Sequence, residues 1–558
     1  MVKRILGLLS RDIKGLHEAA YLLGFFAFLS QILGIVRDRL FAHIFGASSI
    51  MDVYYAAFRV PDLIFVSIAS IVSISVLIPF IAERLEDDKQ ALKKFIDNTF
   101  SAFSILIISV SAVVFLFVPK LSVWLFPTLI AEHGDSLILI TRILLLSPIF
   151  FGFSNLLGSI TQVKRRFTLF AVGPLLYNVG IIVGIVGFYP VWGIGGLGIG
   201  VALGALLQML IHIPYVRGQG LLPRFKFDIN LTDFGKVVFL SLPRTLTLSA
   251  HHLVLLVLVV LSGGLGVGLI SIFSFSWNLQ SVPLAIIGVS YSVAAFPTLA
   301  RLFSKGEKTL FFEQITNAAR HIIFWSIPAM VLFIVLRAQV VRVILGSGEF
   351  GWTDTRLTAA ALALFVMSLT AQSLVLLFVR GYYAAGKTVR PLIVNVTGSL
   401  ITVVLAFGLL KWFEGNLMVR YFFESLLKVE GLEGTVILML PLAYTLGLTV
   451  NLVLFWILFQ RDFKRFSSVL GRTFFQSLSA SVVMGFVAHR FLIVFAMVFN
   501  TETLFGIFLQ GFSAGVMGIG AGLLVLKMLG STEIKESLQT VRQKFWKTKV
   551  IGAEQEEL

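Results

Sequence analysis

The stretch LGIVRDRLFAHIFGA, Leu33–Ala47, places three adjacent charged residues, Arg37, Asp38 and Arg39, in an otherwise apolar run. A charged side chain in contact with lipid costs several kcal/mol. If this stretch crosses a membrane, one side of its helix must therefore face protein or a water-filled cavity. The question that follows is what such charges do there.

The chain as a whole is strongly apolar. Of its 558 residues, 57% are hydrophobic and 13% are charged, and the mean hydropathy is +0.94, whereas soluble domains carry about 25% charged residues. Apolar runs of about 20 residues recur from end to end, each long enough to cross a bilayer as a helix. We predict an all-α polytopic membrane protein. The absence of cysteine excludes a disulfide framework, a thiolate metal site and a cysteine nucleophile.

We predict about fourteen transmembrane helices. They centre on 20–44, 52–82, 95–117, 136–162, 167–188, 193–215, 237–262, 267–299, 315–336, 356–379, 391–410, 435–459, 470–498 and 505–529. Prolines predict kinks in several of them, at Pro61, Pro174, Pro243, Pro283 and Pro441.

Lysine and arginine cluster in alternate connections, so the positive-inside rule places both termini in the cytoplasm. The net charge of +16 then reflects topology and argues against nucleic-acid binding.

The chain also contains an internal repeat. PLLYNVG at Pro174–Gly180 matches PLIVNVTG at Pro391–Gly398 at an offset of 217, and PFIAERL at Pro79–Leu85 matches PTLARLF at Pro297–Phe303 at an offset of 218. A repeated unit of six spans gives two parallel lobes with a substrate site between them. Chance recurrence in an apolar chain is the alternative. The predicted segments are a cytoplasmic amphipathic N-terminus at 1–19, an N-lobe at 20–216, a cytoplasmic linker at 217–236, a C-lobe at 237–460, two extra C-terminal helices at 461–530 and a cytoplasmic tail at 531–558.

The first two spans of each lobe carry polar residues on one side of the helix. These residues are Ser30, Gly34, Arg37 and Asp38 in the first span, Asp52, Tyr55, Arg59 and Asp62 in the second, Ser241, Arg244, Thr245, His251 and His252 in the seventh, and Ser274, Asn278 and Ser281 in the eighth. We predict that they line a central cavity of mixed charge with an excess of arginine. Because adjacent residues on a helix point in different directions, Arg37 and Asp38 are expected to pair elsewhere, with Asp52 and Arg59 as candidate partners.

Arginine binds phosphate oxygens in a bidentate manner, so the cavity is predicted to take an anionic head group. The alternative is that these charges only pair with one another to fix packing. His251 and His252 are adjacent and lack an evident third ligand, so we predict no metal site. We predict no cofactor either. No Walker motif is present, which leaves the membrane potential or a coupling ion as the energy source.

The run SQILGIVRDRLFAHIFGASSIMDVYYAAFRVPDL, Ser30–Leu63, resembles the opening of the MurJ (MviN) family of lipid II flippases, which belongs to the multidrug/oligosaccharidyl-lipid/polysaccharide exporter superfamily. VRGYYAAGKTVRPL, Val379–Leu392, resembles a second motif of that family. The resemblance implies two rocking lobes and a central cavity whose arginines hold the pyrophosphate and sugar of lipid II. It also implies that spans thirteen and fourteen form a groove for the polyprenyl tail.

Carried over residue by residue, the resemblance implies that Arg37 and Asp38 are a functional pair, Asp52 an acidic position and Arg59 a basic one. The sequence departs from the family at four arginine positions, which are occupied here by Gln31, Phe65, Val66 and Asn278. Arg244 is expected to supply replacement charge. The predicted substrate-binding residues are Arg37, Asp38, Asp52, Arg59, Arg244 and Asn278, and the further polar residues of the cavity are Gln31, Ser274, Ser281, His251 and His252.

We predict a flippase rather than an enzyme. It would move an undecaprenyl-pyrophosphate-linked peptidoglycan precursor, lipid II, across the bacterial cytoplasmic membrane by alternating access, as a monomer among membrane lipids. The departures at the arginine positions favour an alternative, an exporter of another lipid-linked oligosaccharide or of drugs. A membrane glycosyltransferase would need an outer-loop carboxylate motif, which is not recognisable, and a non-transporting scaffold is a further alternative. The connection 411–434 is longer than the other outer links. A plain insertion is the favoured explanation, and a short amphipathic helix on the outer surface is the alternative.

Overall fold

The computed structural model describes residues 16–87, 89–463, 468–534 and 536, and within them the chain is helical with no strand. The first twelve helices are α1 Leu16–Phe45, α2 Ser49–Ala57, α3 Arg59–Ser67, α4 Ile74–Asp87, α5 Lys89–Leu125, α6 Pro127–Leu144, α7 Leu146–Val163, α8 Phe167–Val183, α9 Tyr189–Trp192, α10 Ile194–Leu210, α11 Ile213–Gly218 and α12 Leu231–Gly263. The others are α13 Leu269–Leu284, α14 Ser290–Ser304, α15 Lys308–Val335, α16 Arg337–Ile344, α17 Trp352–Val366, α18 Leu369–Ala384, α19 Val389–Gly415, α20 Leu417–Leu427, α21 Met439–Phe463, α22 Ser468–Ala496 and α23 Leu504–Met528.

The all-α membrane architecture is confirmed. In the described part of the chain, eleven helices are long and apolar enough to cross a membrane, or twelve if the bent pair α17 and α18 forms one span. These helices match the third to fourteenth predicted spans, and α1 covers the first predicted span as one helix of 30 residues. The total of fourteen stays a prediction.

The second predicted span, 52–82, is not a single helix. It is divided into α2, α3, a 3₁₀ turn at Ala69–Val72, and α4. The first break falls at Phe58, three residues before Pro61. Proline has no backbone N–H to donate to the carbonyl four residues earlier, so the helix breaks just before it. The division agrees with the predicted effect of Pro61, and it separates the polar residues of this segment into two short helices.

The chain forms two compact units. Among the described residues, the first contains those up to Leu279 together with Ile344–Phe365 and Lys387–Asn451, and the second contains Gln280–Val343, Val366–Gly386 and those from Leu452 onward. The predicted lobes at 20–216 and 237–460 stay predictions. The predicted N-terminal segment 1–19 and tail 531–558 lie mostly outside the described residues.

Within the first unit, both copies of the repeat pack their helices through equivalent small residues. The contacts are Gly180–Gly204 and Gly184–Gly200 between α8 and α10, and Gly398–Asn451 and Thr402–Gly447 between α19 and α21. Positions in the first helix of each pair differ by 218 residues and those in the second by 247. Small residues allow helix backbones to approach closely in a membrane. The matching contacts support a true repeat, with the long connection 411–434 inserted in the second copy.

This packing predicts that Gly204→Ala lowers stability, because a Cβ at Gly204 would overlap the backbone carbonyl of Tyr177. We expect the free energy of unfolding to fall by about 1–3 kcal/mol, the usual cost of overpacking. Gly187→Ala is the matched control, since its Cβ would meet only the Val183 side chain at van der Waals distance. Thermal unfolding in detergent measures both variants. Equal melting temperatures for the two would contradict the proposed helix contact.

In the second unit, the residues after the last span are tied to two earlier helices. Glu533 is buried and accepts hydrogen bonds from Arg320 Nε at 3.0 Å, Thr473 Oγ1 at 2.8 Å and Ser531 Oγ at 2.7 Å. Burial alone would raise the pKa of Glu533, but the hydrogen bonds from Ser531, its own amide, Thr473 and Arg320 lower this pKa to about 2. The carboxylate is therefore charged at neutral pH and fastens the segment after α23 to α15 and α22.

Candidate functional site

Arg37 and Asp38 pair with each other, so the prediction that each finds its partner elsewhere is wrong. Arg37 Nε donates to Asp38 Oδ1 at 2.9 Å, and Arg37 Nη2 lies 2.8 Å from the same oxygen. Adjacent Cα–Cβ bonds diverge on a helix, but the long arginine side chain bends back across to its short neighbour. The Asp38 side chain is buried, while 21% of the Arg37 side chain remains exposed.

Two asparagines complete this ion pair. Asn178 on α8 accepts from Arg37 Nη1 at 3.0 Å and donates to Ser30 Oγ at 3.3 Å. Asn278 on α13 donates to Asp38 Oδ2 at 3.1 Å. Asn278, predicted to bind substrate at a position where the family has arginine, therefore supplies an amide to the Asp38 carboxylate. The pair is fixed from three helices, α1, α8 and α13.

Arg59, at the start of α3, is the second cation of this region. Its Nε is buried without a hydrogen-bond partner in the described part of the chain, and it interacts electrostatically with Asp62 and Tyr55. The hydroxyl of Tyr55, which likewise interacts electrostatically with Arg37 and Asp38, is also buried and without a partner among the described residues. Two unsatisfied donor groups therefore lie in the same neighbourhood as the Arg37–Asp38 pair.

Asp52 pairs with groups at the start of α13 and not with Arg37, so its prediction as a partner of that arginine is wrong. It is fully buried and accepts from Gly268 N at 2.5 Å, Ser271 N at 2.8 Å and Ser271 Oγ at 2.6 Å. These amides belong to the first turn of α13 and to the residue before it. Backbone N–H groups at a helix N-terminus favour a negative charge, so Asp52 acts as an N-terminal cap supplied by another helix.

The seventh predicted span, α12, packs against the broken second span through hydroxyl pairs. Ser67 Oγ lies 3.1 Å from Ser249 Oγ, and Ser70 Oγ lies 3.0 Å from Thr245 Oγ1. Arg244 is exposed on a different side of α12 and has no partner among the residues that the structure describes. The role of Arg244 in substrate binding stays a prediction, and exposed leucines lie four residues before and after it, Leu240 and Leu248.

His251 lies seven residues after Arg244, which places the two on the same side of α12. The His251 ring is 6.2 Å from the Trp277 ring and 6.3 Å from the Tyr444 ring. The side of α12 that carries Arg244 therefore continues toward α13 and α21. His252 is half-buried on another side of the helix and interacts electrostatically with Arg59.

The remaining predicted residues have fewer contacts. Gln31 is half-buried, seven residues before Asp38 on the same side of α1. Ser274 is buried one turn before Asn278, and its hydroxyl has no partner in the described residues. Ser281 is half-buried and belongs to the second unit, whereas all other predicted site residues belong to the first.

The sequence reasoning missed two groups of contacts. Asn178 was visible only as part of the repeated PLLYNVG motif, and nothing in that motif points to Arg37. The partners of Asp52 at Gly268 and Ser271 include two backbone amides, for which the side-chain sequence carries no signal.

The second unit contains a separate, largely apolar cavity of about 850 Å³. It lies among the π-helical turn Ala285–Val289, the start of α14, and α15, α22 and α23, and Phe324, Met484 and Leu523 are among its lining residues. Its polar groups include Tyr291, which stacks on His321, and Glu536, which pairs with His321 Nε2 at 3.2 Å. The two last spans, α22 and α23, thus contribute to the lining of this cavity, and the groove predicted for them stays a prediction.

Comparison with known proteins agrees with this architecture. The family model described as lipid II flippase MurJ matches residues 41–511. The chain is 27% identical over 390 residues to the probable lipid II flippase MurJ of Rickettsia prowazekii, covering 69% of this chain and 76% of that protein. It is 23% identical over 391 residues to the lipid II flippase MurJ of Burkholderia cenocepacia, covering 68% of this chain and 75% of that protein.

Solved structures show the same fold. A lipid II flippase MurJ in an inward closed conformation superposes with a TM-score of 0.71 at 21% identity, covering 93% of this chain and 100% of that one. An inward-facing multidrug resistance MATE family transporter of the MOP superfamily follows at 0.59 and 16% identity, covering 78% of this chain and 94% of the transporter. The expected family and fold are confirmed, and the chain belongs to the MurJ family of lipid II flippases.

Proposed function

We propose that this chain flips lipid II across the bacterial cytoplasmic membrane by alternating access, as a single chain with both termini in the cytoplasm, and that the pyrophosphate is held by Arg37, Arg59 and Arg244. The observation that carries the proposal is the state of Arg37. Three of its N–H···O contacts go to Asp38 and Asn178, and the exposed part of the side chain leaves further N–H groups for a ligand. An arginine held in this way is already oriented when an oxyanion arrives.

Arg59 supports the same reading. A buried donor without a partner costs about 1–3 kcal/mol, and its Nε is such a donor. A phosphate oxygen would satisfy it and would also accept a hydrogen bond from Tyr55. Asp38 and Asp62 balance the charges of Arg37 and Arg59. In this proposal the net positive charge toward the pyrophosphate therefore comes from Arg244, which precedes Thr245 and lies at the level of Ser70.

Arg244 provides the first test. In Arg244→Ala we expect lipid II flipping to slow by about tenfold, the lower end of what charge-assisted hydrogen bonds contribute, because this side chain is exposed. The matched control is Arg142→Ala, which removes an arginine that instead packs on Phe115, 4.6 Å from its ring. Full activity in Arg244→Ala would show that this residue does not replace the arginines absent at Gln31, Phe65, Val66 and Asn278.

We also propose that the apolar cavity of the second unit holds part of the polyprenyl tail. Its lining is dominated by aliphatic and aromatic side chains of α15, α22 and α23, as a hydrocarbon chain requires.

The proposed transport makes and breaks no covalent bond. Outward movement of an anion is favoured by about 2.3 kcal/mol per charge per 100 mV, so an imposed potential, negative on the side of the basic loops, should accelerate flipping in vesicles.

The direct test reconstitutes the full chain in vesicles with fluorescent lipid II and follows loss of fluorescence to a membrane-impermeant quencher. Depletion of the protein in cells should in parallel cause lipid II to accumulate.

One observation favours a second cargo: Asn278, where the family has arginine, is already hydrogen-bonded to Asp38. A different undecaprenyl-pyrophosphate oligosaccharide is therefore assayed beside lipid II. Faster movement of that lipid would reassign the cargo, and no movement of either would overturn the proposal.

A further inference from the structure

The connection between α19 and α21 contains the helix α20, Leu417–Leu427, so the alternative of a short helix in this segment is confirmed. Gly415 and Asn416 end α19, and Asn416 Oδ1 then accepts from Met418 N at 3.1 Å and Val419 N at 3.3 Å. This asparagine N-cap starts α20 two residues after α19 ends. The C-terminal end is closed by Lys428 in the left-handed conformation. The helix is therefore a defined element with a cap at each end.

The polarity of α20 is the reverse of that of a helix on a soluble surface. Of its two charged residues, Arg420 is partly exposed, whereas Glu424 is turned inward, where its carboxylate accepts from Arg420 Nε at 2.8 Å and Thr435 Oγ1 at 2.5 Å. Large apolar side chains are turned outward: Met418 is 82% exposed, Tyr421 70%, Phe422 58% and Leu426 59%. A contiguous outward apolar surface marks contact with another apolar phase.

The position of α20 identifies that phase. It is joined at both ends to helices that are apolar and long enough to span a membrane, α19 and, through the 3₁₀ turn at Thr435–Leu438, α21. Lys411 and the exposed Trp412 occupy the last turns of α19, and lysine and tryptophan typically mark the level of the lipid head groups. The apolar arc of α20 therefore begins beside that boundary and continues the lipid-facing surface of α19.

We propose that α20 is an interfacial helix that inserts Met418, Tyr421, Phe422 and Leu426 into the outer boundary of the bilayer, on the side opposite the basic loops. The segment 411–434 carries three basic and four acidic side chains, so its attachment depends on apolar burial rather than on anionic lipid. Arg356, on α17, donates from Nη2 to the Lys428 carbonyl at 2.6 Å. The inserted helix thereby fixes the level of α17 as well as that of α19 and α21.

Because the chain has no cysteine, single-cysteine variants can carry one spin label each. We would label Met418→Cys and Phe422→Cys, with Glu430→Cys in the exposed loop after α20 as the matched control. In vesicles of phosphatidylcholine, collisions with oxygen should exceed collisions with a water-soluble nickel complex at 418 and 422, and the order should reverse at 430. Adding phosphatidylglycerol should leave these ratios unchanged.

The labels at 418 and 422 could instead collide with the nickel complex as often as the label at 430. That result would overturn the proposal and would assign the apolar arc to a protein partner. Protection that appears only with phosphatidylglycerol would overturn the apolar basis of the attachment. All three positions are exposed, so the labels do not disturb packing, and the readout is independent of which lipid is transported.

Discussion

Arg37→Ala is expected to reduce lipid II flipping by roughly 100-fold, since it removes charge-assisted hydrogen bonds that are each worth about 1.5–3 kcal/mol. The substitution removes the proposed pyrophosphate contact and also leaves Asp38 buried with the Asn278 amide at 3.1 Å as its remaining described partner. Breaking a buried ion pair from one side costs about 3–5 kcal/mol of stability. The variant should therefore lose transport and melt at a lower temperature.

A double variant separates the two effects. In Arg37→Ala/Asp38→Asn no charge is left unpaired, so we expect the melting temperature to recover most of its loss while flipping stays slow. Arg39→Ala is the matched control: it removes an arginine two residues away that donates to the Ile344 carbonyl at 3.3 Å. Flipping is measured with fluorescent lipid II in vesicles. Transport that recovers together with stability in the double variant would mean that the pair only fixes helix packing.

The transmembrane helices could be predicted from the sequence because a bilayer restricts the backbone conformation. Backbone N–H and C=O groups in lipid must form their hydrogen bonds within the segment, so each long apolar run becomes a helix. The break at Phe58 was also within reach, since Pro61 withholds an N–H from the preceding turn. The insertion at 411–434 was recognisable by its length and by its mixed apolar and charged residues, and it forms α20.

The contacts within the site could not be predicted equally well from the sequence. Helix periodicity assigns a side chain to a side of a helix, but it does not say how far a flexible arginine can bend, so the Arg37–Asp38 pair was mispredicted. Periodicity also does not say which helix lies opposite, which is why Asn178, 141 residues away from Arg37, escaped attention. Backbone amides are common to nearly every residue, so the partners of Asp52 at Gly268 and Ser271 have no sequence signature.

Asp52 carries the second large expected effect, because it joins the first predicted lobe to the second. Its carboxylate accepts from Gly268 and Ser271 at the start of α13, beside a close backbone contact between Ala47 and Gly268. A second contact of the same kind connects His43 O with Glu349 N at 3.0 Å. If the two lobes alternate between openings, these contacts form on one side of the membrane and must break in each cycle.

We therefore expect Asp52→Ala to slow flipping by roughly 10- to 100-fold, because charge-assisted hydrogen bonds of about 1.5–3 kcal/mol each no longer stabilise the closed side. Asp52→Asn should have a smaller effect, since its amide oxygen still accepts from the α13 amides.

A cysteine in place of Ser48 reports the closure. The Ser48 hydroxyl is buried without a partner in the described residues, and sulfur replaces oxygen with little change of shape in Ser48→Cys. In the chain that is otherwise free of cysteine, Asp52→Ala should speed labelling of Ser48→Cys by a membrane-impermeant maleimide. Labelling at an unchanged rate together with slow flipping would place Asp52 in the handling of the substrate instead of in closure, because a carboxylate that only caps α13 cannot slow transport without also opening the contact it maintains.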